Sequence, residues 1–322
     1  MPASAQSDIL LRLRSGSPLG DRFRVDSAGG VVAIGVLGIG IIPATGAGER
    51  MMWHPWRASF RAGSIGAGGT QWDDANTGFY SWAGGYNTMA SQLASFAFGY
   101  QSSAQGSYAT ALGYTANADG TGAVAIGYRP TADADYSVAI GQRASTNGHA
   151  GAFVIADGST TDSVEASANN QFSARMAGGY RLFTNATETT GMSMNAGGSS
   201  WNIISDVTRK EHFLAIDGED VLARIRALPV SSWRYIDEVD RGVRHVGPMA
   251  QDWERAFGLS GDPTTINMSD FDGVNLAAIQ ALEQRTAALR EQVAERDRRI
   301  ESLEERIARL EALVAAQARP RP

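Results

Sequence analysis

Broken every 14 residues from Ser95, residues 95–142 read SFAFGYQSSAQGSY, ATALGYTANADGTG, AVAIGYRPTADADY and SVAIGQ. Gly-Tyr recurs at Gly85-Tyr86, Gly99-Tyr100, Gly113-Tyr114 and Gly127-Tyr128, and Gly141-Gln142 continues the step. Other columns agree: Ala83, Ala97, Ala111, Ala125 and Ala139 lie two residues before each glycine, and Ala90, Ala104, Ala118 and Ala132 five after. Self-similarity at a fixed period is the signature of a solenoid. Fourteen residues suit two short strands and two tight turns, and Ala-Val-Ala-Ile-Gly at 123–127 alternates small with larger apolar residues at the strand period of two. Such a thin coil buries too little by itself, so neighbouring coils and neighbouring chains must complete its core.

Outward from the repeat, the sequence predicts a mainly β chain with a C-terminal α+β domain. Residues 1–80 read as a β-rich cap with turns at 27–30 and 73–76. Trp53, Trp56 and Trp72 lie there, with Trp82 at its border; they either pack the cap or present flat faces to a sugar. The apolar run 31–42, with Gly35, Gly38 and Gly40, is too short for a bilayer and is expected to be a buried β segment. Residues 81–150 are the repeats. Residues 151–204, with strand-like stretches at 171–175 and 179–183, read as a β-rich stem.

Composition narrows the function. A net charge of −6 argues against nucleic acid as a partner, because phosphate binding needs a basic face. No stretch predicts membrane insertion, and no signal peptide is visible at the start of this sequence. With no cysteine, disulfides, zinc–thiolate sites and cysteine nucleophiles are excluded. His54, His149 and His212 share no metal-ligand spacing, so neither metal nor cofactor is expected. Asp133 and Asp135 read as a solvated turn rather than a glycosidase pair.

The repeats resemble the heads of trimeric bacterial adhesins, over about 81–150. The resemblance implies a parallel, left-handed β-roll and a homotrimer, and brings no catalytic residues. A hexapeptide acyltransferase helix, with a period built on six, does not fit.

From about residue 205 the chain changes character: 21 of its 34 acidic residues lie there. Ile279, Val293, Ile300, Ile307 and Val314 occupy one heptad core position, and Leu282, Leu289, Leu303 and Leu310 the other, predicting a coiled coil over 279–318. β-Branched residues at the first position with Leu at the second favour two strands. The roll requires three chains, and Thr286 and Arg296 already interrupt the seam, so the trimer is the expectation.

The only lysine is Lys210, five residues after Ser205 in Ser-Asp-Val-Thr-Arg-Lys. Arginine supplies every other positive side chain but cannot accept a proton. A lysine beside a serine therefore reads as a Ser–Lys dyad, although Ser-Asp is also common at helix caps. Downstream follow Leu228-Pro229-Val230, Trp233-Arg234-Tyr235, His245-Val246-Gly247-Pro248-Met249-Ala250-Gln251-Asp252 and Asp272-Gly273-Val274-Asn275-Leu276. This succession resembles the peptidase S74 family, the C-terminal intramolecular chaperone of phage tailspikes and endosialidases. The resemblance implies a chaperone and autoprotease over 205–278, with Ser205 as nucleophile and Lys210 as general base. Asp206, His245 and Gln251 are supporting candidates, His245 being better explained as a strand-end residue that hydrogen-bonds the fold. Attack by Ser205 on the Ile204 carbonyl closes a five-membered ring, placing the cut before Ser205; a serine from a neighbouring chain would instead cut before Asp206.

The expected protein is a trimeric tail fibre or surface protein, extracellular on a virion or bacterial cell, with a glycan or other receptor as partner. A non-cleaving adhesin with a folding-only C-terminal domain is the alternative. A glycan-degrading spike finds no room, because the roll is thin and the carboxylates are scattered.

Overall fold

In the computed structural model, residues 9–15, 20–238, 242–259 and 261–317 are described. The chain divides into two compact units, Met1–Ser205 and Asp206–Pro322.

The repeats of the first unit form a two-sheet β-solenoid. Each coil supplies a five-residue strand (Trp82–Tyr86, Phe96–Tyr100, Thr110–Tyr114, Val124–Tyr128, Val138–Gln142) and a two-residue strand such as Asn117–Ala118 or Thr131–Ala132. Successive coils pair in parallel and in register, so Ala111 lies beside Ala97 and Ala125, and Gly113 beside Gly99 and Gly127. The interior is narrow enough that alanine fills it: Ala83, Ala97, Ala111, Ala125 and Ala139 are buried, as are Ala90, Ala104, Ala118 and Ala132.

The glycine column is required twice over. Gly99, Gly113 and Gly127 have φ of +117°, +126° and +127°, which L side chains rarely adopt. A Cβ on any of them would also collide with the carbonyl of the next glycine in the column. Beside it, Tyr86, Tyr100, Tyr114 and Tyr128 stack ring on ring at 5.0–5.1 Å.

The long sheet runs past both limits read from the period. At one end the antiparallel pair Gly48–His54 and Ser59–Ile65 joins it, the second strand parallel to Trp82–Tyr86. At the other end Phe153–Ala156 and Phe172–Arg175 continue it. Part of the expected cap, and the stretch 171–175 assigned to the stem, therefore belong to the roll. The glycine column starts at Gly63, which stacks on Gly85 across a 22-residue step that a 14-residue period conceals.

Arg61 closes this end. Its buried guanidinium donates to the carbonyls of Phe60, Ser81 and Ala90 and to the Ser81 hydroxyl, all at 2.8–2.9 Å. Burial lowers its pKa to about 10. Trp72 is also buried, with Nε1 donating to the Thr88 carbonyl at 2.8 Å, whereas Trp56 and Trp82 are exposed. The Asp133 carboxylate accepts from Thr146 Oγ1 and the Gly148 amide, and Asp135 from the Thr121 amide, so both tie neighbouring coils together.

The run 31–42 is not a buried strand. Val31–Ala33 pairs with Gly20–Asp26, which pairs with Ile9–Ser15; beyond it Ile34, Val36, Leu37, Ile39 and Ile41 are exposed. Gly38 and Gly40, at φ +75° and +107°, turn the backbone out of a strand. The stem is a three-stranded antiparallel sheet of Gly179–Phe183, Gly191–Asn195 and Asn202–Ile203.

In the second unit, α1 (Gly218–Ala227) and α2 (Ala250–Phe257) pack on the start of α3 (Met268–Gln317) around Val221, Leu222, Trp253, Val274, Ala278 and Ala281. Asp217 caps α1 by accepting from the amides of Glu219 and Asp220, and Gly258 ends α2 at φ +66°. Helix α3 begins eleven residues before the heptad start at Ile279 because its first three turns supply this core. Its heptad residues, from Ile279 and Leu282 through Ile307, Leu310 and Val314, are all exposed within the chain.

Replacing Gly113 by Ala is expected to destabilise the roll by about 2–4 kcal/mol, from a strained φ plus a backbone collision. Thermal unfolding followed by circular dichroism reads this directly; an unchanged melting temperature would show that the column tolerates a side chain.

Candidate functional site

The segment holding the predicted dyad leaves the stem at Asn202–Ile203 and enters a single 3-10 turn, Val207–Arg209. Asp206 caps that turn: its Oδ1 accepts from the Thr208 amide at 2.8 Å. That bond, then the Thr208 hydroxyl and the charge of Arg209, hold the Asp206 carboxyl below its ordinary range. The Lys210 amide donates to the Val207 carbonyl at 3.2 Å and closes the turn. The Ser-Asp pair is thus partly a capping device, with the aspartate rather than the serine as cap. Ile204, Ser205, Asp206 and Lys210 are all exposed on the chain. Phe213, Leu214 and Ile216 follow, also exposed.

His245 and Gln251 lie around one hairpin and its following helix. Ser231–Trp233 pairs with His245–Gly247, placing Trp233 opposite His245. The imidazole lies 4.7 Å from the Trp233 ring, centroid to centroid, and edge-on to Tyr235 at 5.5 Å. Its Nε2 meets Glu238 Oε2 at 3.0 Å. Arg244 fastens the same hairpin by donating to the hydroxyl and carbonyl of Ser232. Gln251, in the first turn of α2, lines an open cleft of about 810 Å³ together with Trp233, Tyr235, Met249, Ile266 and Phe271. Neither Lys210 nor His245 is among the residues lining that cleft.

Sequence reasoning missed Glu238, the carboxylate that positions His245. It lies seven residues upstream, across a hairpin whose connection has no fixed length; only the clustering of Trp233, Tyr235 and His245 hinted at a shared pocket. Among the described residues, no three His, Asp or Glu side chains gather as a metal site needs. No described helix is long and apolar enough to cross a membrane.

The geometry makes His245 a hairpin clamp. His245→Ala and Glu238→Ala are each expected to destabilise the second unit by about 1–2 kcal/mol, with the double variant losing less than the sum. Urea unfolding of the four proteins measures the coupling. Strict additivity would show that the pair does not act as one.

Residues 205–260 match the family model described as chaperone of endosialidase, Peptidase_S74. Residues 104–129 and 131–149 match two copies of the YadA head domain repeat. No significant match was found among curated proteins or among solved structures. Along its length the chain is therefore similar first to YadA heads and then, from Ser205, to the Peptidase_S74 chaperone of endosialidase.

Proposed function

We propose that the chain is the subunit of a trimeric surface or tail fibre, whose C-terminal unit brings three chains together and then removes itself by Ser–Lys autoproteolysis. The observation that carries the assembly reading is apolar surface left uncovered within one chain. On the outer face of the long sheet, Phe98, Leu112, Ile126, Ile140 and Ile155 stand in register, beside Phe96, Thr110, Val124, Val138 and Phe153. Phe98, Phe153, Phe172 and Trp82 on this sheet are exposed. Separately, the heptad seam of α3 is exposed among the described residues. Soluble proteins rarely leave such continuous apolar surfaces uncovered.

The chemistry rests on residues 204–210. Ser205 Oγ attacks the Ile204 carbonyl carbon while the Lys210 amine takes the hydroxyl proton. The C–N bond breaks, the proton passes to the departing Ser205 nitrogen, and Ile204 is left as an ester on the serine oxygen. Water hydrolyses that ester, giving the Ile204 carboxylate and restoring the hydroxyl. A lysine amine, ordinarily near pKa 10.4, acts as a base once burial or a nearby cation lowers that value. On the single chain this segment is exposed, so assembly is the step that would supply burial. Two further facts support a cut here: the family match begins at Ser205, and the boundary between the two units lies one bond away.

A folding-only C-terminal unit is the competing reading, and the mass of the purified protein separates the two. With 34.1 kDa spread over 322 residues, cleavage before Ser205 releases a fragment of about 12–13 kDa. Ser205→Ala should give one full-length species. Lys210→Arg should also stay uncut, because a guanidinium keeps its proton. A Ser205→Ala protein cut at the same bond would remove the dyad, and wild-type cleavage of Lys210→Arg would show that only charge is needed at that position.

The chaperone role has its own test. Residues 1–204 expressed alone should aggregate or remain unassembled by light scattering, whereas the processed protein should be a stable trimer. A monodisperse trimer of 1–204 with the thermal stability of the processed protein would remove the chaperone role.

A further inference from the structure

Two tyrosine columns run along the roll, and only one is accounted for by packing. Tyr86, Tyr100, Tyr114 and Tyr128 occupy consecutive coils and cover one another's faces. The second column lies in the turn that precedes each long strand and reads Tyr80, Ala94, Tyr108, Gly122, Tyr136. Here a tyrosine stands on every second coil with a small residue between. The three rings are 52%, 59% and 71% exposed. With coils spaced as neighbouring strands are, the tyrosines repeat about every 9.5 Å.

Their backbone makes the choice of residue informative. Tyr80, Tyr108 and Tyr136 have φ of +58°, +62° and +57°, the left-handed region where a bulky side chain is a genuine outlier. Ala94 at +52° and Gly122 at +65° show that the turn forms with small residues. Positive φ belongs to the turns of the roll generally, with Gln101, Thr115, Arg129 and Arg143 also at +48° to +57°, but within the roll only Tyr80, Tyr108 and Tyr136 combine it with an aromatic ring that stays largely in solvent. The small residues have a geometric consequence. A Cβ on Gly122 would lie 3.2 Å from Tyr136 Cδ1, so the intervening position leaves room for the ring.

We propose that Tyr80, Tyr108 and Tyr136 form a binding ladder for an extended, β-linked polysaccharide. In such a chain every second pyranose turns the same C–H face to one side, and that two-residue repeat corresponds to the two-coil spacing of the rings. Tyrosine suits the role, offering a large flat surface at small conformational cost. Ser107, Thr121 and Asp135 form the adjoining column and provide groups that hydrogen-bond sugar hydroxyls. A peptide adding as a β-strand would need unpaired backbone donors. The amides of Tyr108, Gly122 and Tyr136 already donate to the carbonyls of Leu93, Ser107 and Thr121. The inference deepens the fibre reading by naming a ligand class for the roll, and rests on that reading only for its biological setting.

The test uses the full-length protein, cellohexaose titrated by calorimetry, and migration in gels containing hydroxyethylcellulose. Maltohexaose, whose α-linkages coil the chain, is the control. Wild-type protein should bind cellohexaose and be retarded in the gel, with at least tenfold weaker binding of maltohexaose. Tyr108→Ala combined with Tyr136→Ala should weaken cellohexaose binding at least tenfold without lowering the melting temperature, because Ala94 already occupies this turn. Tyr108→Phe should bind as wild type, since the flat face is kept. No binding by the wild type, equal binding of maltohexaose, or wild-type affinity in the double variant would each overturn the ladder. Light scattering on the same samples keeps the two readings apart: a trimer that fails to bind overturns the ladder alone, and a monomer that binds overturns the fibre alone.

Discussion

In the glycine column from Gly63 to Gly141, each residue faces the next carbonyl where a side chain would otherwise begin. That contact sets the close stacking of the coils. Coils this thin are filled chiefly by alanine, with small polar residues such as Ser102, Ser137 and Thr146 between their sheets. An alanine methyl contributes about 0.8 kcal/mol on burial, well below a leucine or isoleucine side chain. The larger apolar residues of each strand, such as Val124 and Ile126, lie on the opposite face, as the two-residue period demands. A fold fixed by close backbone contact thus keeps its best hydrophobic material outside. The uncovered apolar faces on which the assembly reading rests thus follow from the same repeat.

This constraint was legible in the sequence because it recurs at a fixed interval, and it became illegible where the interval changes. The 22-residue step from Gly63 to Gly85 hid the first strands of the sheet. The 15-residue step from Gly141 to Ala156 hid the last, since Ala156 takes the position next to Gly141 in the ladder. Hydropathy misled over 31–42 for a different reason: it records that residues are apolar, not whether the same chain can cover them. The dyad could be proposed from sequence because Ser205 and Lys210 lie five residues apart and the lysine has no other copy. The pairing of His245 with Glu238 was not, because it depends on a hairpin connection that carries no periodic signal.

The exposed setting of residues 204–210 bears on how cutting and folding would be ordered. A base that works only after desolvation makes cleavage conditional on whatever buries it. On this chain Asp206 spends its carboxylate on the Thr208 amide, which shapes the turn before any partner arrives. Local hydrogen bonds therefore shape the backbone, and in the proposed mechanism the environment that activates the amine would come from assembly. Such an order would protect the product of the proposed cut, since a cut made before three chains meet would discard the unit proposed to align them.

Repetition supplies the reason for such a unit. A slip of one coil sets alanine against alanine and glycine against glycine, so little energy separates the correct alignment from its neighbours. The second unit has no 14-residue repeat, and its heptad seam is interrupted at Thr286 and Arg296, which would give the three helices of the proposed trimer few equivalent ways to meet. In the proposed trimer, once the roll had closed in register, the aligning unit would add nothing that the outer apolar faces do not already hold. Its removal would then leave no easy route back to the aligned nucleus. The fibre's persistence would be governed by a barrier to opening rather than by the modest energy of any one coil.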